Sequence, residues 1–334
     1  MKNIEILEFN FTTKNQRFIE RLKALLNAKG FKSSSKSYDN IKATKLLKIN
    51  KLAKKQKNDN FYICLDRFDS ADIYLAFDGV WQIYKKLDKF WFLNPFKIIN
   101  TIIEKNCINN SIKIITNSNL TRDQLEKIYD IKPGKITTIY PGINLPTQIQ
   151  KGSAKLELSK ELGIDIELPI ILFISNDLKK DGIDKFIELL AQIQSPFNSI
   201  IISSDKSIAK YKKLVNKLNI RAIFKSTPKT LNRYYEAADI FALPSLYNSF
   251  STQILEALSY GCICFSSDNN GASEILDDEF IIRSIDETAK YIDTLLDDYN
   301  LMLEISTKNI NLAKDFTADK SINEIAKVIS ENIH

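Results

Sequence analysis

Short apolar runs alternate along this chain with longer stretches whose apolar residues recur at helical spacing, and the alternation begins twice. In the first half, Asn3–Phe9, Phe61–Leu65, Ile73–Phe77, Lys113–Ile115 and Lys135–Tyr140 read as strands. Asn15–Ala28 reads as a helix stopped by Gly30, and Arg122–Asp130 as a second with Thr121 as its N-cap. Residues 33–40, rich in Ser and Lys, read as a loop. Pro141-Gly142 breaks the pattern, and 142–153 reads as a linker. The second half restarts with Pro169–Ile174, Ser199–Ser203 and Ala222–Phe224 as strands. Helices are expected over Ile183–Gln194, Ser207–Leu218 and Thr230–Ala238, and acidic helical segments run from Asp286 to the C-terminus.

The most informative stretch begins at Ala237. Ile240–Leu243 is an apolar run closed by Pro244-Ser245. An amphipathic segment from about Thr252 to Tyr260 ends at Gly261, and Cys262–Phe265 is apolar again before Asp-Asn-Asn-Gly. Strand, loop, helix, Gly stop and strand spell a right-handed βαβ unit. Ligands of such units lie beyond the strand ends, where a helix N-terminus offers free N–H groups to an anion. Glu256 falls just over a turn into that helix. A carboxylate there repels a bare phosphate but suits a sugar or ribose diol, so the pair of features suggests a nucleotide-sugar site. Two successive βα arrays imply an α/β protein of two Rossmann-like domains facing across a cleft. The expected divisions are 1–145, 154–318 and a C-terminal helix over 319–334 that crosses back to the first domain.

Composition narrows the chemistry. The only histidine is His334, which excludes a His-centred triad and a multi-His metal site. Cys64, Cys107, Cys262 and Cys264 lack metal-ligand spacing and read as buried thiols of a reducing cytoplasm. No apolar run approaches the ~18 residues of a membrane span, and the first residues lack the apolar core of a signal peptide. Charge is lopsided: 26 Lys+Arg against 14 Asp+Glu in residues 1–150, and 21 against 27 in the rest. A basic half joined to an acidic half points to an anionic partner for the first half, with phospholipid, phosphorylated glycolipid and nucleic acid all open.

Within that basic half, Lys42, Lys45, Lys48, Lys51, Lys54, Lys55 and Lys57 form the densest run. On a helical wheel Leu46, Ile49 and Ala53 share a narrow apolar face, with Lys48, Lys51 and Lys55 opposite. A solvated surface helix explains this, as does attraction to an anionic leaflet. Trp81 and Trp91 fall in one segment with Tyr84, Phe90, Phe92 and Phe96. Core packing accounts for several of them, but Phe90-Trp91-Phe92-Leu93 between Lys89 and Lys97 suits an interfacial wedge.

In order along the chain, LAFDGVWQIY, TTIYPGI, SNDLKKDGID, PSLYNSFSTQILEA and NNGASEIL resemble retaining glycosyltransferases of family 4, which have two Rossmann-like domains (the GT-B architecture). Within that family the chain is most similar to glucosyltransferases of the lipopolysaccharide core, over about residues 61–280. The resemblance implies that Glu256 holds the donor ribose and that the backbone around Ser251 and Thr252 meets the donor phosphates. The family's first motif glutamate, which touches the transferred sugar, is here Asn248. Its phosphate-holding Arg and Lys are replaced by Asn176 and Asp181, with Lys179 and Lys180 in the same loop to supply charge. Asp78 matches a catalytic position, and Lys14 stands where a Gly-rich turn is expected and is assigned to acceptor phosphate.

The resulting expectation is a cytoplasmic, membrane-associated hexosyltransferase that moves glucose or galactose from a UDP-sugar to a glycolipid, without metal or cofactor. Site residues are then Asp78 as catalytic, Lys179, Lys180, Asn248, Ser251, Thr252 and Glu256 for the donor, and Lys14, Trp91, Lys48, Lys51 and Lys55 on the acceptor and membrane side. Asn176, Asp181 and Asn248 also fit a catalytically degenerate scaffold. An epimerase lacks acid–base equipment, and a dehydrogenase lacks Gly-x-Gly-x-x-Gly after the first strand. A nucleic-acid binder would interleave lysines with exposed aromatics, which here lie apart.

Overall fold

In a computed structural model, residues 3–9, 13–38, 43–87 and 90–333 are described, with backbone alone at 13, 14, 43 and 44. The chain divides into two units, 1–142 with 318–334, and 143–317. In unit 1 the strands are β1 (Asn3–Phe9), β2 (Lys32–Tyr38), β3 (Phe61–Cys64), β4 (Ile73–Ala76), β5 (Lys113–Thr116) and β6 (Ile136–Thr138). They form one parallel sheet in the order β2-β1-β3-β4-β5-β6. Its helices are α1 (Thr13–Ala28), α2 (Ala43–Gln56), α3 (Trp81–Lys86), α4 (Pro95–Asn110) and α5 (Asn119–Tyr129). The strand order reverses between β1 and β3, so the crevice at a topological switch point opens beyond Phe9 and Cys64.

Sheets buried on both faces are written as continuous apolar runs. FYIC in β3 and IYLA in β4 are buried at every residue, which is why they are legible. β2 is not. Its sequence KSSSKSY reads as loop, yet all seven residues pair with β1, from Asn3↔Lys32 to Phe9↔Tyr38. An edge strand faces water along one side, so Ser and Lys are tolerated there and discourage further pairing. A second correction concerns α5. Ser118, not Thr121, is the N-cap, its Oγ accepting from the Thr121 N–H at 3.1 Å.

Unit 2 contains β7 (Ile170–Ile174), β8 (Asn198–Ile202), β9 (Ala222–Lys225), β10 (Ile240–Leu243) and β11 (Ile263–Ser266) in the order β11-β10-β7-β8-β9, again all parallel. Helices α6 (Lys151–Leu162), α7 (Ile183–Gln192), α8 (Ile208–Lys217), α9 (Asn232–Ala237), α10 (Thr252–Ser259), α11 (Ile285–Asp297) and α12 (Tyr299–Ala313) cover it. α6 begins inside the segment expected to be linker. It packs against α9, and Lys151 and Lys155 hold Asp239 at 2.9 and 3.5 Å. Here the switch point falls between β7 and β10.

The last helix, α13 (Ala318–Glu331), returns to unit 1. Ile322, Ile325, Ala326 and Ile329 enter the core formed by Ile4, Leu22, Leu26 and Ile115. Ser321 Oγ donates to Tyr140 O at 2.9 Å, fixing the helix where β6 leaves the sheet.

Candidate functional site

The switch point of unit 2 is built from two loops. Residues 175–182 follow β7, and residues 244–251 follow β10. Lys180 O accepts from the Leu246 N–H at 2.8 Å. Beside it Gly182 lies so close that a Cβ would stand 1.9 Å from Pro244 O, and its φ of +83° is open only to glycine without strain. The two loops are therefore one rigid wall. Inside the first loop, Ser175 Oγ donates to Asp181 Oδ2 at 2.8 Å and accepts from Asp177 N at 3.0 Å. Asp177 Oδ1 accepts from Lys180 N at 3.0 Å, and Asp205 Oδ2 from Leu178 N at 3.1 Å.

This wall places the charged residues. Lys179 and Asn176 are exposed and Lys180 is half-buried. Asp181, standing where the resemblance expects a lysine, is buried and turned into the loop. Burial pushes its carboxyl up, while Ser175 and the Lys180 charge pull it back. It acts as a loop brace, so its charge is not simply an added repulsion at an anion site.

In the second loop Asn248 is held through both backbone groups by the turn after β11, its N–H donating to Asn269 O and its O accepting from Gly271 N–H, each at 2.9 Å. Its Oδ1 accepts from Phe250 N at 3.2 Å. The side chain's acceptor is thus engaged in a turn, and its amide hydrogens are the group left for a ligand. Ser251 stands at the N-cap position of α10 without a side-chain cap bond, and its N–H already donates to Asn270 Oδ1 at 3.1 Å. The backbone offer expected around Ser251 and Thr252 is correspondingly narrower and excludes the Ser251 amide. Asn270 is fully buried and its Oδ1 also accepts from Ala272 N at 3.1 Å. It organises the turn from the far side, a role that its place in Asn-Asn-Gly-Ala hints at only through Asn's preference for caps.

Glu256 lies half-buried on α10. Tyr235 on α9 is its buried neighbour: burial first, and then the Glu256 carboxylate, hold that phenol well above its usual range. Tyr260 is raised by burial, Glu236 and Glu256 in the same way. Neither tyrosine is signalled by the motif spacing.

In unit 1, Asp78 follows β4 and is exposed. Asp66, after β3, accepts from the Phe9 N–H at 2.5 Å. Its carboxyl is pushed up to about 7 by burial and then by the nearby Asp78 charge. Asp66 belongs to none of the motifs that single out Asp78. Asp72 is structural, pairing with Lys57 at 2.7 Å and accepting from Tyr62 N at 2.7 Å.

Lys48, Lys51 and Lys55 project from α2 into solvent, while Leu46 and Ala53 are buried as the wheel requires. Asn50 shares the buried face and accepts from Asp69 N at 2.8 Å. Trp91 is half-buried, with Lys85 Nζ 3.6 Å from the centre of its ring. The exposed groups are Phe90, Phe92 and Leu93, at 66%, 54% and 70%, with Ile98 and Ile102 on α4. Lys14, Lys42 and Lys89 lie outside the described side chains. Among the described residues no helix is long and apolar enough to cross a membrane.

The family model "Glycosyl transferases group 1" matches residues 154–312, and "Glycosyltransferase Family 4" matches residues 82–146. An uncharacterized glycosyltransferase of Methanocaldococcus jannaschii is 26% identical over 231 residues, 65% of this chain and 58% of that protein. The chain spans about half the length of the curated relatives it matches. Among solved structures, WaaG, a glycosyltransferase involved in lipopolysaccharide biosynthesis, superposes with a TM-score of 0.79 at 16% identity, covering 98% of this chain and 99% of that one. Anabaena HepE in complex with UDP-glucose gives 0.75 at 16% identity, with 98% and 99% covered. At such identities the likeness is one of fold, two parallel-sheet α/β units of the GT-B type.

Proposed function

The chain belongs to the glycosyltransferases of group 1 and family 4, and from that premise we propose that it moves a hexose from a UDP-sugar to a glycolipid hydroxyl with retention of configuration. The acceptor is placed in lipopolysaccharide or lipooligosaccharide core assembly, and the site of action on the cytoplasmic face of a membrane. One observation carries the donor assignment. Two loops tied by Lys180 O and Leu246 N flank the switch point of the second sheet, with two lysines on one loop and Glu256 on the helix that leaves the other. Cations on one loop and a carboxylate on the helix after the other suit a ligand that is a diphosphate at one end and a diol at the other. HepE, of the same fold, binds UDP-glucose.

In this reading Glu256 accepts from the ribose hydroxyls. Lys179 or Lys180 with the start of α10 offsets the charge that develops on the β-phosphate as UDP leaves. No metal is required of that step. Asn248 meets the sugar through its amide hydrogens, and Asp78, in unit 1, is given the catalytic role on the acceptor side. Retention rests on family likeness. For the membrane, Phe90, Phe92, Leu93, Ile98 and Ile102 are exposed apolar residues, and α2, the helix that packs on α4, exposes lysines. That combination favours an anionic leaflet, at roughly 1 kcal/mol per near-surface lysine.

A degenerate scaffold is the second reading, favoured by Asn248 holding its own turn. Release of UDP from UDP-glucose, UDP-galactose and UDP-N-acetylglucosamine, with and without glycolipid, separates the two. Turnover of one donor supports the enzyme, and UDP binding without turnover supports the scaffold.

A further inference from the structure

Glu104 is fully buried on α4, between Ile103 and Cys107. Its Oε1 accepts from Arg67 Nε at 2.9 Å and from Trp81 N at 2.7 Å. Its Oε2 accepts from Gln82 N at 3.3 Å and from the Tyr129 hydroxyl at 2.5 Å. Arg67, also buried, sends Nη2 to Gly79 O at 2.8 Å. On the other side of Asp78, Asn117 Nδ2 donates to Phe77 O at 2.9 Å. The backbone is thus held at Phe77, Gly79, Trp81 and Gln82, on both flanks of the exposed Asp78 side chain.

Stability alone gives little reason for such a cluster. A buried ion pair loses much of its attraction to desolvation, and apolar residues of equal volume commonly do as well. Helix α3 has Val80 at its N-cap position and so no side-chain cap of its own, a need that one local Ser or Asp would meet. The clamp instead draws in groups from β3's end, α4 and α5 to fix one turn. That turn includes Gly79 at a φ of +75°, which sets the direction in which Asp78 leaves the strand.

We propose that Arg67, Glu104 and Tyr129 are positioning residues that hold Asp78 in its working orientation. This rests on the role given to Asp78 above. A displacement of about 1 Å at a reacting group lowers rates about 100-fold, so loosening one of four bonds to Glu104 should be visible in turnover.

The test is a double-mutant cycle on the full chain, with radiolabelled UDP-glucose or UDP-galactose, whichever turns over faster. Tyr129→Phe should lower kcat about 5- to 10-fold, leaving the donor KM and the Kd for UDP unchanged. In an Asp78→Asn background the same change should have less than about a twofold effect, because the orientation it disturbs no longer matters. An unchanged kcat in Tyr129→Phe, or the same fold loss in both backgrounds, overturns the proposal while leaving the Asp78 role intact. Full turnover by Asp78→Asn instead removes the reading on which it rests. Should Tyr129→Phe not yield folded protein, Asn117→Ala, which frees Phe77 O, runs the same cycle with the same outcomes.

Discussion

Single residues carry the donor assignment, and each makes a separable claim. Glu256→Ala should weaken UDP binding by about 30-fold or more, the loss of a charged hydrogen-bonding group, as read by calorimetry; unaltered affinity would remove Glu256 from the site. Gly182→Ala carries a strain of roughly 1–2 kcal/mol from its φ alone, before the contact with Pro244 O. It should lower both thermal stability and UDP affinity by parting the two loops. Asp66 makes a prediction in pH. Its carboxyl rises from 3.8 to about 7, by burial first and then by the Asp78 charge. The folded state therefore binds the proton more tightly than the unfolded chain. That contribution is complete below pH 3.8 and is lost as pH rises through about 7. Melting curves should show a decline over that interval that Asp66→Asn lacks. A decline of equal size in the variant would assign it to other groups.

Elements show where the sequence is legible and where it is not. Strands buried on both faces announce themselves as runs such as IILFI in β7 and IFAL in β10. The one edge strand written as KSSSKSY does not, because its pairing partner rather than its own composition makes it a strand. Helix α6 was hidden by its weak amphipathic pattern and is fixed by pairing with Asp239. At the candidate site, the motif residues could be named from the sequence through the family resemblance. Asn270, Tyr235 and Glu104 could not, since each acts through a partner distant in sequence. Glu104 did leave one trace, a lone acid among apolar residues of α4. Helix α13, expected as a C-terminal helix that crosses back to the first domain, lays its apolar face into the core of unit 1. Deleting residues 318–334 should strip unit 1 of protection in hydrogen exchange and leave β7, β8 and β10 protected. Retained protection of β1 and β3 would contradict that.

At the scale of the whole molecule, the charge split has a physical reading. The excess of Lys and Arg over residues 1–150 belongs to the unit that also exposes Phe90, Phe92 and Leu93. On this account an anionic membrane and acceptor are met by unit 1, while the nucleotide is held by unit 2. Charge reversal at Lys48, Lys51 and Lys55 should cut binding to phosphatidylglycerol-containing vesicles by about 100-fold or more. Unchanged co-sedimentation would separate the chain from the leaflet without touching the donor site.

The central claim is transfer itself. Purified full-length chain should be incubated with each UDP-hexose and with glycolipid from its own host, measuring UDP released and the mass of the lipid product. The account predicts one donor that yields UDP together with an equal amount of lipid heavier by one hexose, a reaction lost in Glu256→Ala. No UDP release from any donor, with no product and no measurable UDP binding, would contradict it.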